Sequence, residues 1–200
     1  MSLNLGAGDL DELWGHNRYL TEFSEWAGRN TAKMELAEVA WMQRTRERMI
    51  GEFGFAVPDA PALDLIAQCS PVVELGAGRG YWASLLRDGG AEVVPIDREP
   101  QNDPWTTVLT GDIDSLDAYP EHTLMMIWPP LKSPMAKNAL ARYRGDRLVY
   151  VGEAAGGCCA EGGFFDLLGR DWELVKVLAI PTWPLIHDRL FLYSRKTDSI

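Results

Sequence analysis

The chain predicts an α/β protein: a doubly wound, mostly parallel seven-stranded sheet with a C-terminal antiparallel hairpin and an N-terminal helical extension. Three observations predict it. After Pro71, short apolar runs alternate with helix-period stretches. The last two runs are joined by a Pro-containing link too short and irregular for a helix. The first sixty residues show helical spacing and little β signal. Strands buried on both faces read as continuous apolar runs, and helices between them make neighbouring strands parallel.

In order along the chain, Met34, Leu36, Val39, Ala40, Met42, Met49 and Ile50 recur at helical spacing and predict one long helix over 31–53, with one or two shorter helices before it. Gly51 and Gly54 mark its end. Asp59 is the predicted N-cap of a helix over 60–69. Strands follow at 72–75, 92–96, 106–109, 123–128 and 147–152, with helices at 81–88, 133–143 and 163–169 and a short one at 114–119. The tail runs, 172–180 and 188–194, should pair antiparallel because 181–187 holds no helix. We expect a helical extension or lid over 1–58 and a ligand-binding α/β domain over 59–200. Trp14, Tyr19, Trp26 and Trp41 of the extension suit a lid, a core or a dimer contact equally.

Composition narrows the function. A formal net charge of −10 argues against a general nucleic-acid surface. The basic residues Arg142, Arg144 and Arg147 are interrupted by Asp146 and read as a solvated helix end. Cys69, Cys158 and Cys159 make no disulfide framework, and no nearby His completes a metal site with the Cys158–Cys159 pair, so no metal is expected. His16, His122 and His187 are scattered. Without a signal-peptide pattern or an apolar run of about 18 residues, a cytoplasmic protein that does not span a membrane is expected.

The chemistry concentrates at 72–82, Val-Val-Glu-Leu-Gly-Ala-Gly-Arg-Gly-Tyr-Trp. A strand aims a loop, alternate glycines let backbone come close to a ligand, and a helix N-terminus follows. Asp97 ends the next apolar run, where a carboxylate is placed to accept hydrogen bonds from ribose hydroxyls. In open α/β sheets, ligands bind beyond the carboxyl ends of the strands. That rule brings Glu74, the 76–80 loop, Asp97, Asp112, Trp128-Pro129-Pro130 and Glu153 to one crevice, with the 181–187 link beside them if the sixth strand runs parallel to the others. Each has a structural alternative: a turn cap for Asp97, Asp112 and Glu153, a core ring for Trp128, and a salt bridge to Arg79 for Glu74.

The spacing G-x-G-x-G, with Glu74 two residues ahead, differs from the dinucleotide fingerprint G-x-G-x-x-G and disfavours a dinucleotide oxidoreductase. It resembles motif I of the class I S-adenosylmethionine (SAM)-dependent methyltransferases. Asp97 falls at their ribose-binding acid and Thr110-Gly111-Asp112 at the acid near the adenine. The resemblance implies a Rossmann-like methyltransferase fold, SAM as cofactor with S-adenosylhomocysteine (SAH) as product, and a cofactor site of Glu74, Gly76, Ala77, Gly78, Gly80, Trp82, Asp97, Arg98, Asp112, Ile113 and Trp128. Longer segments, including Phe55-Ala56-Val57-Pro58, Trp128-Pro129-Pro130 and Val151-Gly152-Glu153, look like an uncharacterised methyltransferase-like family of bacteria and fungi. Trp128 and Leu131 stand where amino-methylating members carry Asn or Asp and an aromatic, which weakens a nucleobase or glutamine acceptor. The expected substrate contacts are Trp128, Pro129, Pro130, Glu153 and Trp183, with Glu153 and His187 as candidate bases. A small-molecule acceptor is the main expectation. A protein or RNA acceptor and a non-catalytic SAM- or nucleotide-binding module are the alternatives. No oligomeric state follows from the residues.

Overall fold

The computed structural model describes residues 16–27, 29 and 33–197. Seven strands form one sheet in the order β3-β2-β1-β4-β5-β7-β6. They are β1 (Val72–Leu75), β2 (Val93–Asp97), β3 (Leu109–Thr110), β4 (Thr123–Ile127), β5 (Arg147–Gly152), β6 (Trp172–Ala179) and β7 (Arg189–Arg195). β1 to β5 are mutually parallel. β7 runs antiparallel to β5 and to β6, so β6 points the same way as the first five. The link after β6 therefore returns at the carboxyl end of the sheet.

The helices are α1 (Arg18–Phe23), α2 (Leu36–Phe53), α3 (Ala60–Ala67), α4 (Tyr81–Asp88), α5 (Met135–Arg142) and α6 (Gly162–Asp171), with a 3-10 turn at Ile113–Ala118. Asp59 caps α3 as its sequence position predicts, accepting from Ala62 N at 3.0 Å. α2 starts at Leu36 rather than 31, because Glu35 and Glu38 form a reciprocal capping box there. α5 starts at Met135, after Pro134 at the cap. The predicted strand over 106–109 is shifted. Only Leu109 and Thr110 pair with β2, while the side chains of Thr106 and Val108 stand where a Cβ on Gly80 would be.

Alternation along the strands divides the core in two. Val72, Met125 and Val149 face α3 and α4, and Val73, Leu124, Met126 and Leu148 face α5 and α6. Glu74 is in step with Val72, so strand geometry turns this one carboxylate toward an otherwise apolar layer, between Pro95 and Met125 of the neighbouring strands. Tyr19, Phe23, Trp26, Met42, Met49 and Phe53 of the N-terminal segment join that same layer. Tyr19 stacks on Phe53 at 5.0 Å, and its N–H donates to the Tyr81 hydroxyl. Asn17 donates to the Pro58 carbonyl at 2.7 Å. Tyr19 and Trp26 are thus core residues, while Trp41 stays half-exposed and Trp14 lies outside the described residues.

Candidate functional site

A cavity of about 640 Å3 opens at the carboxyl ends of β1, β2, β3 and β4, within the usual range for small-ligand sites. The loop after β1 forms its floor. Gly76, Gly78 and Gly80 all have left-handed backbone, with φ of +80°, +56° and +73°, a conformation that side chains other than glycine adopt at a cost. The N–H groups of Gly76 and Ala77 both donate to the Ile96 carbonyl, locking the loop to β2. A Cβ on Gly78 would meet no atom within 4 Å, so this residue presents bare backbone to open space. Gly80 works differently. A Cβ there would come within 2.9 Å of Val108, so Gly80 permits packing and is not among the cavity-lining residues.

Asp97 points at the loop, not away from it. One carboxylate oxygen accepts from Gly78 N at 2.8 Å and the other from Glu99 N at 2.9 Å. Asp112 faces the cavity and also caps the 3-10 turn, accepting from Ile113 N at 2.7 Å. Ile113 itself is packed on the other face of the sheet, among the α5–α6 core, and does not line the cavity. Arg98 lines the rim. Trp82 closes the inner wall, its indole N–H donating to the Ala56 carbonyl at 3.3 Å.

Glu74 lies on the same wall, 3% exposed, and its Oε2 has no hydrogen-bond partner. Burial, reinforced by the Asp97 charge, pushes its carboxyl up to about 8. The salt-bridge alternative fails: Arg79 turns away to the Asp103 carboxylate and to the Asp103 and Gly51 carbonyls. Around the cavity, Glu74, Asp97, Glu99 and Asp112 outnumber Arg79 and Arg98, which suits a cationic ligand. A neighbouring cavity of about 450 Å3 has Arg18 and Arg48 on its wall, but both are already paired with Glu22 and Glu52.

Much of the remaining lining is apolar and aromatic: Phe53, Phe55, Ile127, Trp128, Pro129, Pro130 and Met135, with hydroxyls on Tyr81 and Ser133. Trp128 has φ +49°. Its ring stacks on Phe55 at 4.9 Å and its indole N–H donates to Asp188 at 2.9 Å. Burial pushes the Asp188 carboxyl up to about 6. Sequence reasoning missed both Asp188 and Phe55 as partners of Trp128. The only available signal was Asp188 at the head of the last strand.

Three predicted site residues stand elsewhere. Glu153 is buried behind the wall. β5 ends at Gly152, and the chain then turns Glu153 into the loop, where its carboxylate accepts from Cys158 N at 2.7 Å, the Cys158 thiol at 2.8 Å and His187 N at 2.9 Å. Burial pushes this carboxyl up, but those hydrogen bonds outweigh it and hold it at about 2. It raises its partner, the Cys158 thiol, to about 11. The His187 ring is exposed, 3.4 Å from Glu153 Oε1. Trp183 is core, 1% exposed, with its indole N–H donating to the Tyr19 hydroxyl at 3.0 Å. None of the three lines the cavity.

No protein family and no curated protein matches this chain in sequence. Solved structures do match. Magnesium protoporphyrin IX methyltransferase from Synechocystis PCC 6803 with bound SAM is similar at a TM-score of 0.50 and 14% identity, over 98% of this chain and 100% of that one. The fold is that of the class I methyltransferases. A TehB-like SAM-dependent methyltransferase from Corynebacterium glutamicum gives a TM-score of 0.48 at 20% identity, over 79% of this chain and 100% of that one. A 1,6-didemethyltoxoflavin-N1-methyltransferase from Burkholderia thailandensis gives 0.46 at 18%, over 99% and 94%. The strand order with its antiparallel β7 agrees with this fold. No helix among the described residues is long and apolar enough to cross a membrane.

Proposed function

We propose that this chain binds SAM in the β1–β4 cavity and transfers its methyl group to a small-molecule acceptor. One observation carries the reading: a buried carboxylate with an unpartnered oxygen beside a loop whose Gly78 backbone is open to the cavity. A buried polar atom without a partner is costly and calls for an explanation. An amino-acid ammonium group reaching Glu74 supplies one. Asp97 keeps unused lone pairs for ribose hydroxyls, and Asp112 stands near the predicted adenine end.

SAM, when bound, supplies a methyl carbon already activated by its sulfonium. The protein's part is alignment and exclusion of water, which bring a large share of such a rate. Trp128 and Phe55 offer ring faces to a cation or a flat acceptor. Phe53, Phe55, Ile127, Trp128, Pro129, Pro130 and Met135 carry no acid or base, so this stretch of the lining suits a nucleophile that reacts without giving up a proton to the protein. The apolar character of that stretch favours a small molecule over a protein or an RNA. A non-catalytic binding module is the competing reading, motivated by Trp128 at the strand-four tip.

The test is incubation of the purified protein with isotopically methyl-labelled SAM and a metabolite extract, followed by mass spectrometry. A labelled small molecule and SAH formation are expected. SAH binding without transfer to any fraction would favour the non-catalytic module.

A further inference from the structure

We propose that Asp188 is a positioning residue of this site, holding the Trp128 indole as a fixed wall of the cavity at the strand-four tip. The inference rests on the SAM-binding reading above and assigns a role to a residue outside the cavity.

Two unfavourable features meet in one hydrogen bond. The first is Asp188, 4% exposed, its carboxyl pushed up by burial, raised further by the Glu153 charge and lowered by the Trp128 hydrogen bond and by Arg46 and His187. A carboxylate in such surroundings is costly, and the Trp128 indole N–H is its one hydrogen-bond partner among the described residues. The second is the Trp128 backbone at φ +49°, a region that bulky side chains rarely adopt and that Gly, Asn or Asp would meet at lower cost. Strain of this kind persists where the surroundings over-determine it, and it concentrates at ligand sites. Here the surroundings are specific. Trp128 N–H donates to the Val151 carbonyl at 2.8 Å, Phe55 lies nearly parallel to the ring, and the Asp188 carboxylate fixes its edge.

Topology explains how Asp188 gets there. β7 is antiparallel to β5, with Arg189 opposite Gly152. The residue before Arg189 therefore arrives at the carboxyl end of β5, one strand over from the tip of β4, where Trp128 begins the turn. The antiparallel strand thus delivers a carboxylate to the parallel strands' ligand edge.

The test separates positioning from stability. Asp188→Leu keeps the shape, removes the buried charge and accepts no hydrogen bond, so relief of the buried charge is set against an unpaired indole N–H. Asp188→Asn keeps an acceptor oxygen. SAH affinity is measured by calorimetry and stability by thermal melting. We expect Asp188→Leu to remain folded yet bind SAH about tenfold more weakly, in line with loss of a charge-assisted hydrogen bond that orders the wall. Asp188→Asn should stay within about twofold of wild type, since the same indole contact survives. In a Trp128→Phe background, Asp188→Leu should cause no further loss. If Asp188→Leu does not fold, Asp188→Ser, too short to reach the indole, takes its place. Wild-type affinity in Asp188→Leu, or an undiminished loss in the Trp128→Phe background, overturns the inference while leaving the cofactor reading intact. Absence of SAH binding by the wild type overturns both.

Discussion

Replacing Glu74 by Gln should stabilise the fold and weaken the ligand, in opposite directions and with a pH signature. Strand alternation places Glu74 in an apolar layer, and Oε2 finds no partner there. Burial first, and the Asp97 charge second, raise its carboxyl from 4.5 to about 8. Because the folded value is the higher one, the stability linked to this proton is complete below about pH 4.5 and is lost as pH rises through about 8. At pH 7 the unfolded chain ionises Glu74 and the folded chain holds it protonated, a difference of about 3 kcal/mol. Gln has no such proton. At pH 7 Glu74→Gln should therefore melt about 10 °C above wild type, given the usual response of a chain this long. Thermal melts from pH 4.5 to 9 read the effect. The two proteins should coincide near pH 4.5 and separate steadily to about pH 8. Other titrating groups, Asp188 among them, are common to both and cancel. SAH affinity should fall about tenfold or more in the variant, as expected when the ligand's ammonium, whose charge favours ionisation of Glu74 on binding, loses that acceptor. A gap independent of pH, or a variant less stable at pH 8, would refute the reasoning.

Three further variants probe the surroundings. Asp97→Ala should weaken SAH binding by about 1.5–3 kcal/mol, measured by calorimetry, since charge-assisted hydrogen bonds to the ribose and to Gly78 N both disappear. Gly80→Ala should lower stability by about 1–3 kcal/mol in denaturant titration, because φ is unfavourable and Val108 obstructs the new methyl group. Glu153→Gln should cost about 2 kcal/mol at pH 7 in the same titration, where hydrogen bonds to a buried carboxylate are weakened. Its folded carboxyl lies below the unfolded value, so that contribution is present above about pH 4.5 and vanishes as pH falls through about 2. SAH affinity should be unchanged in this last variant, since Glu153 stands behind the cavity wall.

The sheet was most legible where its strands are buried on both faces, as β1, β4 and β5 are. The runs at β1 and β5 have the predicted bounds, since short runs rich in Val and Leu with a turn signal at each end leave little choice. β3 was misplaced because Thr106 and Val108 look like strand residues but are used to pack against Gly80. The glycine loop and Asp97 could be read from spacing alone, since the loop's backbone conformation demands glycine. Ile113, Glu153 and Trp183 could not be placed. Whether a residue at a strand end faces ligand or core depends on a one-residue phase, and local sequence leaves that phase open. Glu153 follows Gly152, whose φ of +156° redirects the chain. Trp183 is drawn inward by Tyr19, far away in sequence. The Asp188–Trp128 bond spans sixty residues, and its one trace in the sequence is Asp188 at the head of the last strand.

The central claim is that bare backbone at Gly78, between Glu74 and Asp97, receives the amino-acid half of SAM. Calorimetric titration of SAH into wild type and Gly78→Leu tests it most directly. A Cβ added at Gly78 meets no protein atom within 4 Å, so the variant's fold should survive with about 1–2 kcal/mol of backbone strain. The account predicts one SAH bound per wild-type chain and none to the variant. No binding by wild type, or equal affinity in a folded Gly78→Leu, would contradict it.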